Sequence, residues 1–200
     1  MFAVTDEISR WAPSKILKEG KMPDPHVWFD VSLWAMTVKL IADRLSDFDP
    51  EHASEFIDNA NALSAKLESL HAECQSAIAE IPKSQRVLIT AHDAFRYFER
   101  AYGFQVKAIQ GVSTVAAAST KHMEELTNFI VEHKIKAIFV ETSVPDDNVK
   151  QLIESCEKQN HKLVIGGKLF SDAMGKPGTT DGTYIGMIRR NFKTIVKALK

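Results

Sequence analysis

The sequence has few cysteines and glycines, and no apolar stretch in it reaches membrane-spanning length. Its 2 cysteines, Cys74 and Cys156, form no CxxC pair, so they do not indicate a thiolate metal site. The sequence leaves open whether they are buried thiols or a disulfide. None of the 9 glycines falls in a GxGxxG or GxxxxGK[ST] pattern, which leaves nucleotide binding unsupported. A formal net charge of -1 gives no electrostatic case for a nucleic acid partner.

The first 23 residues are the least informative part of the chain. They lack the basic end, long apolar core and small-residue cleavage site of a secretory signal peptide. Phe2-Ala3-Val4 indicates a short strand, and residues 18–23 indicate a loop.

His26 lies on a restricted turn ahead of a predicted helix. In the sequence DPHVWFD, residues 24–30, Pro25 fixes its own φ and pushes Asp24 away from helical geometry. Asp24 can cap the apolar run that follows, whose three- and four-residue spacing predicts a helix over residues 28–47. A histidine with so little freedom suits a metal ligand, although a single histidine is more often structural or solvated.

A second histidine and an aspartate follow predicted strands. Val87-Leu88-Ile89 is a short buried run, and His92 comes where this strand turns into a helix over residues 94–102. Leu163-Val164-Ile165 is another such run, and Asp172 lies on the segment that leads away from its end. Ligands of open α/β sheets bind at the carboxyl ends of strands. With His26, these residues form a nitrogen, nitrogen, oxygen set that suits a divalent transition metal.

Two further carboxylates compete for a role. Glu141 ends the predicted strand over residues 137–141, so it faces the same sheet edge as His92. It is either a metal ligand or an acceptor for an imidazole N–H, and its position in the sequence leaves both roles open. Asp181 lies in a Gly/Thr-rich loop, where its position is more typical of a cap for the helix over residues 183–199.

The longest periodic segment runs over residues 50–81, without an internal glycine or proline. After Pro82 the pattern alternates, with strands over 87–90, 106–110, 137–141 and 163–166 and helices over 94–102, 119–133, 146–159 and 183–199. Short apolar strands alternating with helices predict a parallel sheet covered on both faces. The fold class is therefore α/β.

Several motifs occur together in the order of one known family. They are DPHVWFD (residues 24–30), TAHDAFRYFERAYGF (90–104), IFVETSV (138–144), LFSDAMG (169–175) and TYIGMIRRNFKTIVKAL (183–199). On these motifs the chain resembles the TroA-like solute-binding proteins of zinc, manganese and iron ABC importers, over nearly its whole length.

The resemblance implies a two-lobe fold joined by a long rigid helix, with a metal between the lobes. It assigns His26, His92 and Asp172 as metal ligands and makes Glu141 a supporting residue. Residues 1–49 would be the remnant of a truncated amino-terminal lobe, 50–82 the connecting helix, and 83–200 a carboxy-terminal lobe with a mostly parallel four-stranded sheet. The family's earlier histidine ligand has no match here, so we expect three ligands instead of four, weaker metal binding and poor transport function. The remnant over residues 1–49 would expose apolar surface, so we also expect some self-association.

The implied function is extracytoplasmic capture of manganese or zinc, with iron as a third option, and delivery to the membrane subunit of an ABC importer. A periplasmic or cell-surface location follows from the family alone. The alternative is a metal-dependent hydrolase with the same His/His/Asp site, which the absence of a convincing general base disfavours. A metal-free interaction protein is a third hypothesis. Because the resemblance is to solute-binding proteins, we expect that the protein is not an enzyme.

Overall fold

The computed structural model describes the backbone of residues 4–114 and 118–200, and the side chains of these residues from residue 7 onward. The chain divides into two compact units, Met1–Gln75 and Ser76–Lys200. Among the described residues, no helix combines the length and the apolar character needed to cross a bilayer. The three-part division predicted at residues 49/50 and 82/83 stays a prediction.

The first unit is mainly helical. It contains the helices α1 (Val4–Trp11) and α2 (Val31–Phe48) and most of α3 (Ala53–Ala79), whose last four residues belong to the second unit. It also has 3-10 turns at Pro13–Lys15, Val27–Phe29 and Pro50–His52 and a small antiparallel hairpin of β1 (Lys18–Glu19) and β2 (Met22–Pro23). The predicted strand over residues 2–4 is wrong at Val4, which begins α1, while residues 2 and 3 lie outside the described residues. The predicted loop over residues 18–23 is this hairpin.

The helix predicted over residues 28–47 begins later than expected because a polar side chain interrupts it. Asp30 is extended and its carboxylate accepts a hydrogen bond from Leu33 N at 3.1 Å, so Asp30 is the amino-terminal cap of α2. The capping role predicted for Asp24 is therefore wrong. Its carboxylate has a different partner, which is described with the site below.

Helix α3 confirms the long helix predicted over residues 50–81, although it begins at Ala53 and ends at Ala79. It has 27 residues, which correspond to a length of about 40 Å. Leu67, Leu70, Cys74 and Ile78 form its buried stripe, and their three- and four-residue spacing is that of one helix face. Both cysteines are buried free thiols, and burial raises the pKa of Cys156 to about 11.

The second unit alternates strands and helices. Its elements are β3 (Val87–His92), α4 (Arg96–Tyr102), β4 (Gln105–Gln110), α5 (Thr120–Glu132), β5 (Ala137–Glu141), α6 (Asp147–Lys158), β6 (Val164–Leu169) and α7 (Tyr184–Leu199). Strand β3 pairs with β4 and β5 pairs with β6, both in parallel, while β3 lies beside β5. The predicted α/β class and parallel strands are confirmed, while the four strands of the predicted sheet form two hydrogen-bonded two-stranded sheets, β3–β4 and β5–β6.

Apolar residues from the strands hold this unit together. Ile89 and Ala91 of β3 and Ile138 of β5 belong to one buried cluster with residues of α5 and α6. A second cluster is aromatic and joins α4 to α7, since the ring of Phe98 lies 5.2 Å from that of Phe192. Packing of these helices against the strands holds the strand ends in place. Three of the proposed site residues, His92, Glu141 and Asp172, lie at or beyond these ends.

Candidate metal centre

His92 is the last residue of β3 and Glu141 is the last residue of β5. Both side chains are completely buried. One carboxylate oxygen of Glu141 accepts a hydrogen bond from the backbone N–H of His92 at 2.9 Å, and the other lies 2.5 Å from His92 Nδ1. Glu141 therefore contacts both the backbone and the ring of His92, and its supporting role, which the family resemblance implies, stays a prediction.

Asp172 approaches the other side of the same imidazole. Its Oδ1 lies 3.4 Å from His92 Nε2, while 41% of its side chain is exposed. Carboxylates thus lie on both ring nitrogens, Glu141 at Nδ1 and Asp172 at Nε2. The structure thus brings His92, Glu141 and Asp172 together within the second unit. Their side chains place an imidazole nitrogen and carboxylate oxygens at the carboxyl ends of parallel strands.

The charge around His92 determines its protonation. Burial by itself lowers the pKa of His92, but the hydrogen bond and negative charge of Glu141, with the charge of Asp172, outweigh burial and raise the pKa above its ordinary value. A cation between these carboxylates is therefore favoured. Protonation of the imidazole supplies such a cation, and a divalent metal would compete with that proton.

His26 belongs to the other unit, where a carboxylate likewise restrains the imidazole. Asp24 Oδ1 lies 2.7 Å from His26 Nδ1 and accepts a hydrogen bond from the backbone N–H of His26 at 3.0 Å. The indole of Trp28 packs against the imidazole edge to face at 5.3 Å between ring centres. His26 and Asp24 are both buried. Asp24 thus orients His26 through the same ring nitrogen that Glu141 contacts in His92.

Such carboxylate–imidazole pairs are typical of histidines that bind metals, because the carboxylate fixes the ring and raises the basicity of the opposite nitrogen. Sequence reasoning missed this role of Asp24, although the two-residue spacing before His26 was a signal for it.

The remaining candidate, Asp181, is not the cap of α7, because Thr183 accepts the capping hydrogen bond from Gly186 N at 3.1 Å. The backbone carbonyl of Asp181 instead accepts a hydrogen bond from Gly175 N at 2.7 Å.

Comparison with known proteins places these residues in a family context. The chain matches the family described as "Zinc-uptake complex component A periplasmic" (ZnuA) over residues 1–198. The zinc-binding protein TroA of Treponema pallidum (strain Nichols) is 48% identical over 176 residues, which are 88% of this chain and 57% of TroA. The manganese-binding lipoprotein MntA of Bacillus subtilis (strain 168) is 46% identical over 182 residues, which are 91% of this chain and 60% of MntA.

The metal ABC transporter substrate-binding lipoprotein SloC of Streptococcus mutans serotype c (strain ATCC 700610 / UA159) is 30% identical over 198 residues, 99% of this chain and 63% of SloC. The solved structure of the periplasmic zinc-binding protein TroA superposes with a TM-score of 0.94 at 45% identity, over 99% of this chain and 71% of that chain. The chain thus spans 57–63% of the length of these three curated relatives. Since the family match extends over nearly the whole chain, the protein belongs to the ZnuA family, as its resemblance to the TroA-like group predicts.

Proposed function

We propose that this protein binds a divalent transition metal, Zn²⁺ or Mn²⁺ with Fe²⁺ as a third option, through His26, His92 and Asp172. Glu141 and Asp24 orient the two imidazoles without binding the ion. One observation carries the proposal: His92 is buried with a carboxylate on each ring nitrogen, an arrangement that favours a cation at this point. The metal is the cargo of the protein, because TroA, MntA and SloC are named as binding proteins.

The binding protein would deliver its metal to the membrane subunit of an ABC importer. This partner is implied by SloC, which is named as the substrate-binding lipoprotein of a metal ABC transporter. A periplasmic or cell-surface location fits this role. The hydrolase alternative has no support from these relatives, so we propose that the protein is not an enzyme.

The choice between zinc and manganese is balanced in the proposed ligand set. Imidazole suits Zn²⁺, and carboxylate oxygen suits Mn²⁺. The relatives divide in the same way, since TroA is named for zinc and MntA for manganese. The two metals should therefore be compared directly on this protein.

Metal titration tests the proposed function. Protein stripped with a chelator is titrated with Zn²⁺ in competition with a chromophoric chelator, and with Mn²⁺ followed by electron paramagnetic resonance. We expect one ion per chain and a rise in thermal stability, because a ligand at 100 times its Kd stabilises the folded state by about 2.7 kcal/mol. Failure of both metals to bind would refute the proposal, and metal-dependent hydrolysis of generic ester or phosphate substrates would favour the enzyme.

The role of Asp24 gives a second prediction. Asp24→Asn keeps the shape of the side chain but removes the charge that faces His26 Nδ1. We expect metal affinity to fall about 10- to 100-fold, the usual cost of changing a residue that orients a ligand. The matched control is Asp49→Asn, because Asp49 makes a similar contact with the exposed His52 at 2.9 Å. Equal affinities of the two variants would show that Asp24 does not act on the metal site.

Delivery is tested in cells of the source organism. Deletion of the gene should lower cellular zinc or manganese when the metal is scarce in the medium. Expression of the unaltered gene should restore the metal content, whereas the His92→Ala gene should not. Normal metal content in the deletion strain under scarcity would argue against a role in uptake.

A further inference from the structure

The segment that carries Asp172 is held by residues from two other parts of the second unit. Asp172 lies three residues beyond the end of β6, and 41% of its side chain is exposed. Packing alone therefore restrains this side chain less than it restrains the fully buried His92. The position of the carboxylate must depend largely on how the backbone of residues 169–172 is anchored.

Asn191 of α7 anchors this backbone from one side. Its Oδ1 accepts a hydrogen bond from Phe170 N at 2.9 Å, and its Nδ2 donates one to Phe170 O at 2.8 Å. One carboxamide thus satisfies both backbone groups of Phe170, as a neighbouring strand would do. Asn191 is 2% exposed, so loss of the side chain would leave the partly buried backbone groups of Phe170 without these partners.

The end of β5 anchors the same segment from the other side. Thr142 N donates to Leu169 O at 2.9 Å, and the hydroxyls of Ser143 and the buried Ser171 lie 2.5 Å apart. Ser143 Oγ also lies 3.5 Å from Asp172 N. Because Glu141 ends β5, the segment with Asp172 is tied to the strand end that supports His92.

A polar residue at position 191 is unusual for its surroundings. Its neighbours on the same face of α7, Met187, Ile188, Phe192 and Ile195, are buried apolar residues. An apolar side chain would fit this environment without any need for hydrogen bonds. The presence of asparagine at this position is explained by its hydrogen bonds to the backbone of Phe170, two residues before Asp172. A displacement of that backbone would also displace the Asp172 carboxylate.

We infer that Asn191, with Ser143 on the opposite side, is a positioning residue that sets the Asp172 carboxylate relative to His92 for metal binding. This inference rests on the proposed function. Metal–ligand distances are fixed to about 0.2 Å, a tolerance that an unanchored loop does not provide. Asn191 acts through Asp172 and does not touch the ion.

A double-mutant cycle on the full chain tests this role, with Zn²⁺ affinity measured by chelator competition. Asn191→Leu keeps the volume and removes both hydrogen bonds to Phe170. In the unaltered background we expect about 10- to 100-fold weaker binding. In the Asp172→Ala background the same change should weaken binding less than about threefold, because the residue through which Asn191 acts is already gone.

A purely structural role would give a different pattern. Ile195→Ala, one turn further along α7, should lower the melting temperature and affect Zn²⁺ binding equally in both backgrounds. Equal losses from Asn191→Leu in the two backgrounds, or no loss from a folded Asn191→Leu protein, would overturn the inference. Absence of Zn²⁺ binding by the unaltered protein would instead refute the proposed function.

If Asn191→Leu does not fold, Ser143→Ala tests the opposite anchor with a smaller change. This variant removes only the hydroxyl that contacts Ser171 and Asp172 N. We expect a loss of Zn²⁺ affinity of about threefold or more in the unaltered background and none in the Asp172→Ala background. An unchanged affinity in the unaltered background would overturn the two-sided anchoring.

Discussion

His92→Ala should reduce Zn²⁺ and Mn²⁺ affinity by more than about 100-fold, which is beyond the usual effect of changing a supporting residue. The substitution removes the proposed ligand and leaves the completely buried Glu141 carboxylate without the imidazole that it contacts at 2.5 Å. The remaining carboxylates, Glu141 and Asp172, lack the fixed ring that separates them. Titration of the stripped variant under the conditions used for the unaltered protein measures the loss.

His133→Ala is the matched control, because it removes an imidazole from the same unit outside the site. His133 is exposed at the end of α5, and its Nδ1 lies 2.9 Å from Phe129 O. Its metal affinity should stay within about twofold of the unaltered value, as for an ordinary surface substitution. Comparable losses in the two variants would show that histidines bind the metal at scattered sites, and the assignment of His92 would then be wrong.

The sequence predicts the strand and helix order well because each buried strand is a short apolar run. It is less successful where backbone contacts decide the structure. The strand predicted over residues 163–166 extends to Leu169, because Gly166 and Gly167 continue β6 instead of ending it. A Cβ on Gly166 would lie 2.9 Å from Ala198 Cβ, and one on Gly167 would lie 2.3 Å from Thr194 Cγ2. These glycines mark the close approach of α7.

The sequence indicates the three residues that meet in the second unit, but not how they are oriented. Strand ends predict that His92, Glu141 and Asp172 lie near one sheet edge. The sequence predicts a capping role for Asp24, because a carboxylate before an apolar run has the same pattern whether it caps a helix or contacts an imidazole. Asn191 lies 21 positions from its partner Phe170, so no local pattern reveals their hydrogen bonds. Such contacts require the packed structure.

Metal affinity should fall steeply as the pH falls, because the metal and the proton compete for His92. The Glu141 and Asp172 charges raise the pKa of His92 despite the opposing effect of burial. For an ordinary imidazole with a pKa of about 6.5, affinity would fall about tenfold between pH 7.5 and 5.5. A raised pKa increases this loss and moves its onset to higher pH.

The contribution of His92 to the stability of the metal-free protein should change with pH in the opposite direction, so that it is largest at low pH. A histidine whose pKa is raised by folding stabilises the folded state fully below its unfolded pKa of about 6.5. This contribution is lost as the pH rises through the raised pKa of the folded state. Denaturant titrations of stripped and metal-loaded protein between pH 5.5 and 8 should therefore diverge, with the metal contributing least at the acid end.

Glu141→Gln separates this mechanism from a general effect of pH on the fold. The amide keeps the shape of the carboxylate but removes the charge that raises the pKa of His92. We expect weaker metal binding at neutral pH together with a pH dependence whose midpoint shifts to lower pH. An affinity for the unaltered protein that is flat from pH 7.5 to 5.5 would mean that no imidazole binds the ion. A midpoint that does not move in Glu141→Gln would mean that Glu141 does not control the protonation of His92.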